Sequence, residues 1–194
     1  MSTFKFELNR EVVIPQLVPN PNDYLMIAGL GGTARDTTRL TNAGSNLYTL
    51  GGAMGAAASM GLGLALARPD KKVLVVTGDG ELLMSLGTLA TIAVLNPPNL
   101  SIICVDNGHY GETGYQVSHT GRGVNLEEIA IGAGIKVTAT VQDDSQVANG
   151  AKVVAHDKDS SFVLLRISTK ESSPIKRNLN AADCRIIFRK ALLG

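Results

Sequence analysis

The sequence predicts an α/β fold, a doubly wound parallel sheet flanked by helices. Three observations predict it. Apolar runs at 24–28, 72–77, 100–105, 136–141 and 161–168 alternate with helical patterns, the signature of βαβ units. The middle runs are dominated by Val, Ile and Leu without polar alternation, as expected for strands covered on both faces. The 21 glycines gather at the ends of those runs, where a close backbone approach or a positive φ is wanted.

Taken in order, the first strand (24–28, YLMIA) runs into the turn Gly29-Leu30-Gly31-Gly32-Thr33-Ala34. Helical spacing resumes over 54–67, ahead of the strand at 72–77. A second turn, Gly78-Asp79-Gly80-Glu81, opens a helix expected over 82–95. The strand at 100–105 leads to Asp106-Asn107-Gly108-His109-Tyr110, and helices are expected over 126–133 and 142–155. At 194 residues the chain is expected to form one domain, 1–194. Residues 170–194 read as a C-terminal extension with a short helix. Its Ile186, Ile187, Phe188, Leu192 and Leu193 suit a cap on this domain or an interface with a neighbour.

Composition excludes several classes. A net charge of +1, from 18 Lys and Arg against 17 Asp and Glu, offers no positive excess for nucleic acid or an anionic membrane surface. Cys104 and Cys184 form no CxxC pair, against zinc and iron–sulfur frameworks. The N-terminal stretch mixes charge with apolar residues and lacks a signal-peptide core, so a cytoplasmic location is expected. Residues 41–67 carry no charge, yet their Gly, Ala, Ser, Thr and Asn content suits a buried helix after a glycine turn better than a membrane span.

The two glycine turns invite different ligands. The first has the spacing GxGxxA of a dinucleotide fingerprint, but no acidic residue follows at 47–53 to hold a ribose. In the second, glycines let a phosphate approach the backbone, and Asp79 is placed to hold a hard cation bridging to it. Asn107 follows the next strand, whose end can lie beside that of the previous one. A carboxylate, an amide oxygen, a backbone carbonyl, phosphate oxygens and a water would complete an octahedron around Mg²⁺. Asp79 and Asn107 equally suit a helix cap and a turn, and spacing alone leaves both readings open.

At these residues the sequence resembles the thiamine-diphosphate enzymes, whose signature runs from Gly-Asp-Gly to Asn-Asn or Asp-Asn. Here it reads Gly78-Asp79-Gly80 through Val105-Asp106-Asn107. GDGELLMSLGTLATIA, NPPNLSIICVDNG, the Thr113-Gly114-x-Gln116 loop and the upstream GGAMG resemble the sulfopyruvate and phosphonopyruvate decarboxylases. The likeness spans roughly Tyr24 to Val141, and Glu112 and Tyr115 depart from it.

That resemblance implies thiamine diphosphate and Mg²⁺ as cofactors, with Asp79, Asn107 and the His109 carbonyl on the metal. The backbone of Gly80 and Glu81 would face the diphosphate, and the Gly52 carbonyl the aminopyrimidine. Met54 would wedge the cofactor into a bent shape, a role that its place between glycines at the helix start favours over ordinary core packing. Ala53, Gly78, Tyr110 and Gly111 complete the expected cofactor set. The activity implied is nonoxidative decarboxylation of a 2-oxo acid to an aldehyde and CO₂.

The chain has room for only one of the two domains such chemistry needs. A separate pyrimidine-binding α subunit carrying the main catalytic glutamate is therefore expected, in an α₂β₂ or larger assembly with this chain as β. His119 and Glu112 are candidate catalytic groups on this chain. Arg35, Arg122, Thr113, His119 and Thr120 are candidates for the distal anion of the substrate, since guanidinium forks and other donors suit such oxyanions. Carboligation of the acetolactate-synthase kind, oxidative decarboxylation, and a non-catalytic cofactor-binding or regulatory partner remain as alternatives. The lack of a cysteine cluster weighs against a ferredoxin-linked enzyme. His156 reads as a helix-end surface residue and Cys104 as a small buried hydrophobe.

Overall fold

A computed structural model describes residues 6–193. Six strands form one parallel sheet: β1 (Tyr24–Ala28), β2 (Leu47–Thr49), β3 (Lys72–Gly78), β4 (Leu100–Asp106), β7 (Val137–Val141) and β8 (Ser161–Arg166). Their order is β2-β1-β3-β4-β8-β7. A small antiparallel ribbon, β5 (His109–Tyr110) with β6 (Gln116–Val117), stands apart from the sheet.

The sheet is buried on both faces, which is why its strands read as unbroken apolar runs. Val73 and Val75 of β3, with Ile102 and Cys104 of β4, face a core closed by α3 (Ala57–Ala67), α5 (Gly87–Leu95) and α6 (Leu126–Ala133). Leu74 and Val76, with Ile103 and Val105, face a second core closed by α1 (Arg10–Leu17) and α7 (Val147–Val154). Register along β3 and β4 runs from Val73 opposite Leu100 to Gly78 opposite Val105, so their carboxyl ends finish level.

Several element boundaries differ from the sequence reading, each for a local reason. The helix expected over 54–67 begins only at Ala57, because Gly51 (φ +64°) and Gly55 (φ +83°) turn the chain out of helical space. Met54 therefore sits on a loop. The helix expected over 82–95 is two: α4 (Asp79–Leu83) ends before Ser85, and α5 starts afresh at Gly87. Ser85 Oγ and Thr88 Oγ1, 2.9 Å apart, tie the break together. The helix expected over 142–155 starts late, at Val147, because Asp143 and Gln146 form a capping box around a 3₁₀ turn.

Two helices had no sequence signal. In α2 (Gly32–Leu40) the buried positions are Thr33, Ala34, Asp36, Thr37 and Thr38, so no apolar stripe announces it. Thr37, Thr38 and Thr41 bond back to the carbonyls of Thr33, Ala34 and Thr37 instead. Helix α1 is capped by Asn9, whose side chain accepts from Glu11 N, and continues through Pro15.

The uncharged stretch 41–67 folds as a turn, the edge strand β2, a glycine loop and α3. Among the described residues no helix is long and apolar enough to cross a membrane. At the other end, α8 (Ala181–Leu193) lays Phe188 on Tyr48 of β2, with ring centroids 5.8 Å apart. Its Ile186, Ile187 and Leu193 stay exposed.

Candidate functional site

From β1 the chain proceeds outward to β2, then crosses back to β3 and on to β4, so the sheet reverses direction between β1 and β3. In open α/β sheets, ligands bind at the carboxyl edge at such a point. Both glycine turns leave the sheet there, held by a bond from Gly29 N to Val76 O of 3.0 Å. A pocket spans them, lined by Leu30–Thr33, Gly78–Glu81, Val105, Asn107 and the His109–Thr113 segment. The turns that invited rival ligands are thus two walls of one cavity.

Asp79 heads α4 and is buried. Its Oδ2 accepts from Ser118 Oγ at 2.5 Å and Thr120 Oγ1 at 3.1 Å. Thr120 Oγ1 also lies 2.6 Å from Asp106 Oδ1, so its single proton serves one carboxylate at a time. Asp106 Oδ1 accepts further from Gly108 N at 2.9 Å. Asp106 Oδ2 has no hydrogen bond among the described residues, with Arg166 Nε 3.8 Å away. Burial, reinforced by the charge of Asp106, pushes the Asp79 carboxyl up to about 6. Burial raises Asp106 as well, opposed by the Thr120 and Gly108 bonds. Two like charges sharing hydroxyl donors in a dry edge call for a cation.

The other proposed ligands adjoin. Asn107 Oδ1 accepts from His109 N at 3.0 Å, and His109 Nδ1 lies 2.9 Å from Asn107 O. The turn reading of Asn107 is therefore what the chain shows, and its amide oxygen keeps a second lone pair. Among the described residues no group of three His, Cys, Asp or Glu is arranged as a metal cage. An Asp–Asn pair fits a different kind of site: a magnesium that keeps waters and phosphate oxygens among its ligands.

Glu81 does more than offer its backbone. Its Oε2 accepts from Thr77 Oγ1 at 3.0 Å and its Oε1 from Ala57 N at 3.3 Å, capping α3. A Cβ on Gly29 would sit 1.7 Å from Glu81 Oε2, so this carboxylate claims the space beside the first turn. Burial raises its pKa. Thr77 preceding Gly-Asp-Gly-Glu is the only sequence signal of this bracket.

The remaining candidates divide. Met54, Gly78, Gly80, Tyr110, Gly111, Glu112, Thr113 and Arg35 line the pocket. The Tyr110 ring lies across Gly80, where a Cβ would approach it to 2.5 Å. Gly52 and Ala53 are exposed on the glycine loop, and Arg122 and His119 are exposed outside the lining, His119 Nδ1 being 3.5 Å from Tyr110 Oη. Arg10 and Glu171, which carried no motif, also line the pocket, as does Tyr115, the departure within the Thr113–Gln116 loop. Cys104 is fully buried, which pushes its thiol pKa up and agrees with an inert core residue. His156 Nε2 lies 3.5 Å from Asp159, at the end of α7.

Residues 29–166 match the family model for the thiamine pyrophosphate enzyme, C-terminal TPP binding domain. The chain is 42% identical over 129 residues to the sulfopyruvate decarboxylase subunit beta of Methanocaldococcus jannaschii, covering 66% of this chain and 68% of that one. With the same-named subunit of Methanococcus maripaludis it shares 27% identity over 186 residues, 96% and 98% of the two chains. It is 38% identical over 116 residues to the phosphonopyruvate decarboxylase of Streptomyces viridochromogenes, 60% of this chain but 28% of that longer one. Among solved structures, a thiamine diphosphate-dependent 4-hydroxybenzoylformate decarboxylase of Rhodococcus jostii superposes with a TM-score of 0.69 over 88% of this chain and 34% of that one. At 20% identity that likeness speaks for the fold alone. The cleft at the sheet reversal, the Gly78-Asp79-Gly80 to Asn107 pair and the matched span agree: the chain belongs to the thiamine pyrophosphate enzyme family, as its C-terminal TPP-binding domain.

Proposed function

We propose that this chain is the diphosphate- and Mg²⁺-binding β subunit of a heteromeric 2-oxo acid decarboxylase, acting on sulfopyruvate or phosphonopyruvate. The observation that carries it is the buried Asp79, set beside Asn107 in a pocket between two glycine turns. The substrate class rests on the likeness to proteins named for those two acids. Thiamine diphosphate, when bound, accepts the electron pair left as CO₂ departs.

The protein's own residues bind, orient and exclude water. Asp79, Asn107 and the His109 carbonyl would hold Mg²⁺, and the backbone of Gly80 and Glu81 would face the diphosphate. Ser118 and Thr120 fix the Asp79 carboxylate through Oδ2. Met54, on the pocket wall, would orient the cofactor, with Gly52 and Ala53 on the same loop turned toward the pyrimidine. Tyr110 and Gly111 would close over the diphosphate. Arg35 and Thr113 would meet the distal acid of the substrate, joined by His119 and Arg122 once a partner closes the site.

The partner is a pyrimidine-binding α subunit carrying the main catalytic glutamate, in an α₂β₂ or larger assembly. The exposed Ile186, Ile187 and Leu193 of the 170–194 extension support an interface role. Two free cysteines suit a reducing cytoplasm. Native mass spectrometry of the tagged chain from its own cells tests the assembly. A second subunit with thiamine diphosphate and Mg²⁺ masses is expected; a cofactor-free homo-oligomer overturns it. With the partner in hand, CO₂ release from each of the two acids tests the reaction.

A further inference from the structure

Opposite the acidic wall, the pocket has a basic one that the metal assignment does not use. Arg10, from α1, is 7% exposed, and its Nε and Nη2 lie 2.7 and 2.6 Å from Asp36 Oδ2. Its guanidinium lies flat across Gly32, within 2.5–2.7 Å of where a Cβ would stand. Arg35, one turn along α2, lines the same pocket with a buried Nε that has no hydrogen-bond partner among the described residues.

An anion already sits there. The Glu112 side chain covers Gly31, where a Cβ would fall 2.6–2.9 Å from its carboxyl and Cγ atoms, and its Oε1 lies 3.5 Å from Arg35 Nη2. The contact is loose: the Glu112 side chain is 47% exposed and rides on a 3₁₀ turn. A pair of this kind is worth about 0.2–1 kcal/mol. A tetrahedral oxyanion taking the guanidinium fork bidentately binds more strongly.

We propose that Arg35, backed by Arg10, forms a second oxyanion seat in the pocket, and that Glu112 is an internal competitor which a phosphoryl, phosphonate or sulfonate group displaces. The seat rests on the proposed function for the identity of that group, which comes either from the cofactor diphosphate or from the distal acid of the substrate. Asp36 and the strap after β8 hold the arrangement, since Ser172 Oγ bonds to Asp36 Oδ1 while Asp36 Oδ2 holds Arg10. Glu171 is the other acid at the rim. Competition by Glu112 sets the seat's affinity, and a neutral residue at 112 makes a tighter anion binder.

Titration calorimetry of the full chain tests this with Mg²⁺–pyrophosphate and with methylphosphonate as probes. Glu112→Gln is expected to tighten binding about threefold, the worth of a loose ion pair, and Arg35→Ala to weaken it about tenfold. Probes that compete assign the seat to the diphosphate; probes that bind together assign it to the substrate acid. Either result keeps the seat. If neither affinity depends on Arg35, or Glu112→Gln weakens binding, the proposal is overturned. Asp79→Ala separates the two readings. Pyrophosphate binding lost there, with both probes still bound normally in Arg35→Ala, removes the seat and leaves the cofactor assignment standing. The reverse pattern removes the metal assignment and keeps the seat.

Discussion

The two walls of the pocket are built on opposite principles. On the acidic wall, Asp79 and Asp106 are buried, share Thr120, and are locked by Ser118 and a backbone N–H. On the basic wall, Arg10 is locked by Asp36, but among the described residues the Arg35 guanidinium pairs only with the half-exposed Glu112. The cation proposed for the acidic wall needs ligands in a fixed geometry, and that wall offers carboxylates held by short hydrogen bonds under electrostatic stress. An anion that comes and goes is served by a partner that swings aside.

The largest effect should come from removing the stressed carboxylate. Asp79→Asn is expected to lower Mg²⁺-dependent thiamine diphosphate affinity by at least about a hundredfold, the cost of losing a charged ligand. The same substitution should raise the stability of the metal-free chain at neutral pH, because it removes a charge the fold disfavours. Calorimetry and urea unfolding of one sample read both. A variant that loses both binding and stability would show Asp79 to be a structural cap.

The next effect is the pH dependence of the metal-free chain. A carboxyl raised from 3.8 to about 6 holds its proton longer in the folded than in the unfolded state. Stability is therefore full below the unfolded value and falls as pH rises from about 4 to 6. The difference is on the order of 3 kcal/mol for Asp79, with Asp106 adding in the same direction. Mg²⁺ with pyrophosphate should flatten this slope by favouring the charged form. Urea midpoints that rise across this window would contradict the burial of the pair.

These walls also differ in how far they could be read from the sequence. Gly78, Asp79, Gly80 and Asn107 stand at the ends of consecutive apolar strands, so strand pattern and turn chemistry together place them at one edge of the sheet. Spacing alone leaves cap, turn and ligand roles open and gives no sign of the part played by Asp106. The basic wall is assembled across the chain: Arg10, Asp36 and Ser172 meet from α1, α2 and the strap after β8. No local period or motif marks such a triad. Helix α2 was invisible for a related reason, its buried face being threonine rather than leucine. The breaks at Gly55 and Ser85 were missed because apolar spacing continues through them while the backbone does not.

A smaller effect tests the bracket joining the walls. In Gly29→Ala the new Cβ would meet Glu81 Oε2 at 1.7 Å, forcing the carboxylate off Thr77 and Ala57. A loss of about 1–3 kcal/mol is expected, as for other overpacking. It should be largely relieved in the double variant with Glu81→Ala, where the clash is gone. Additive losses in that pair would place the damage elsewhere.

The smallest effect concerns Tyr115, where the basic wall meets the strap. Tyr115 is held at φ +62°, a region that glycine and asparagine enter more easily, and its Oη donates to Thr169 O at 2.6 Å. Conformational cost and hydrogen bond thus oppose each other at one residue. Tyr115→Phe keeps the cost and drops the bond, so a loss of about 1 kcal/mol is expected. Tyr115→Asn drops the bond and eases the backbone, so its stability should lie above that of Tyr115→Phe despite the greater loss of ring contact with His109. If Tyr115→Asn is instead the less stable of the two, ring packing rather than the tether to Thr169 keeps this side of the pocket in place. The looseness of Glu112 would then have to be explained without a firm loop behind it.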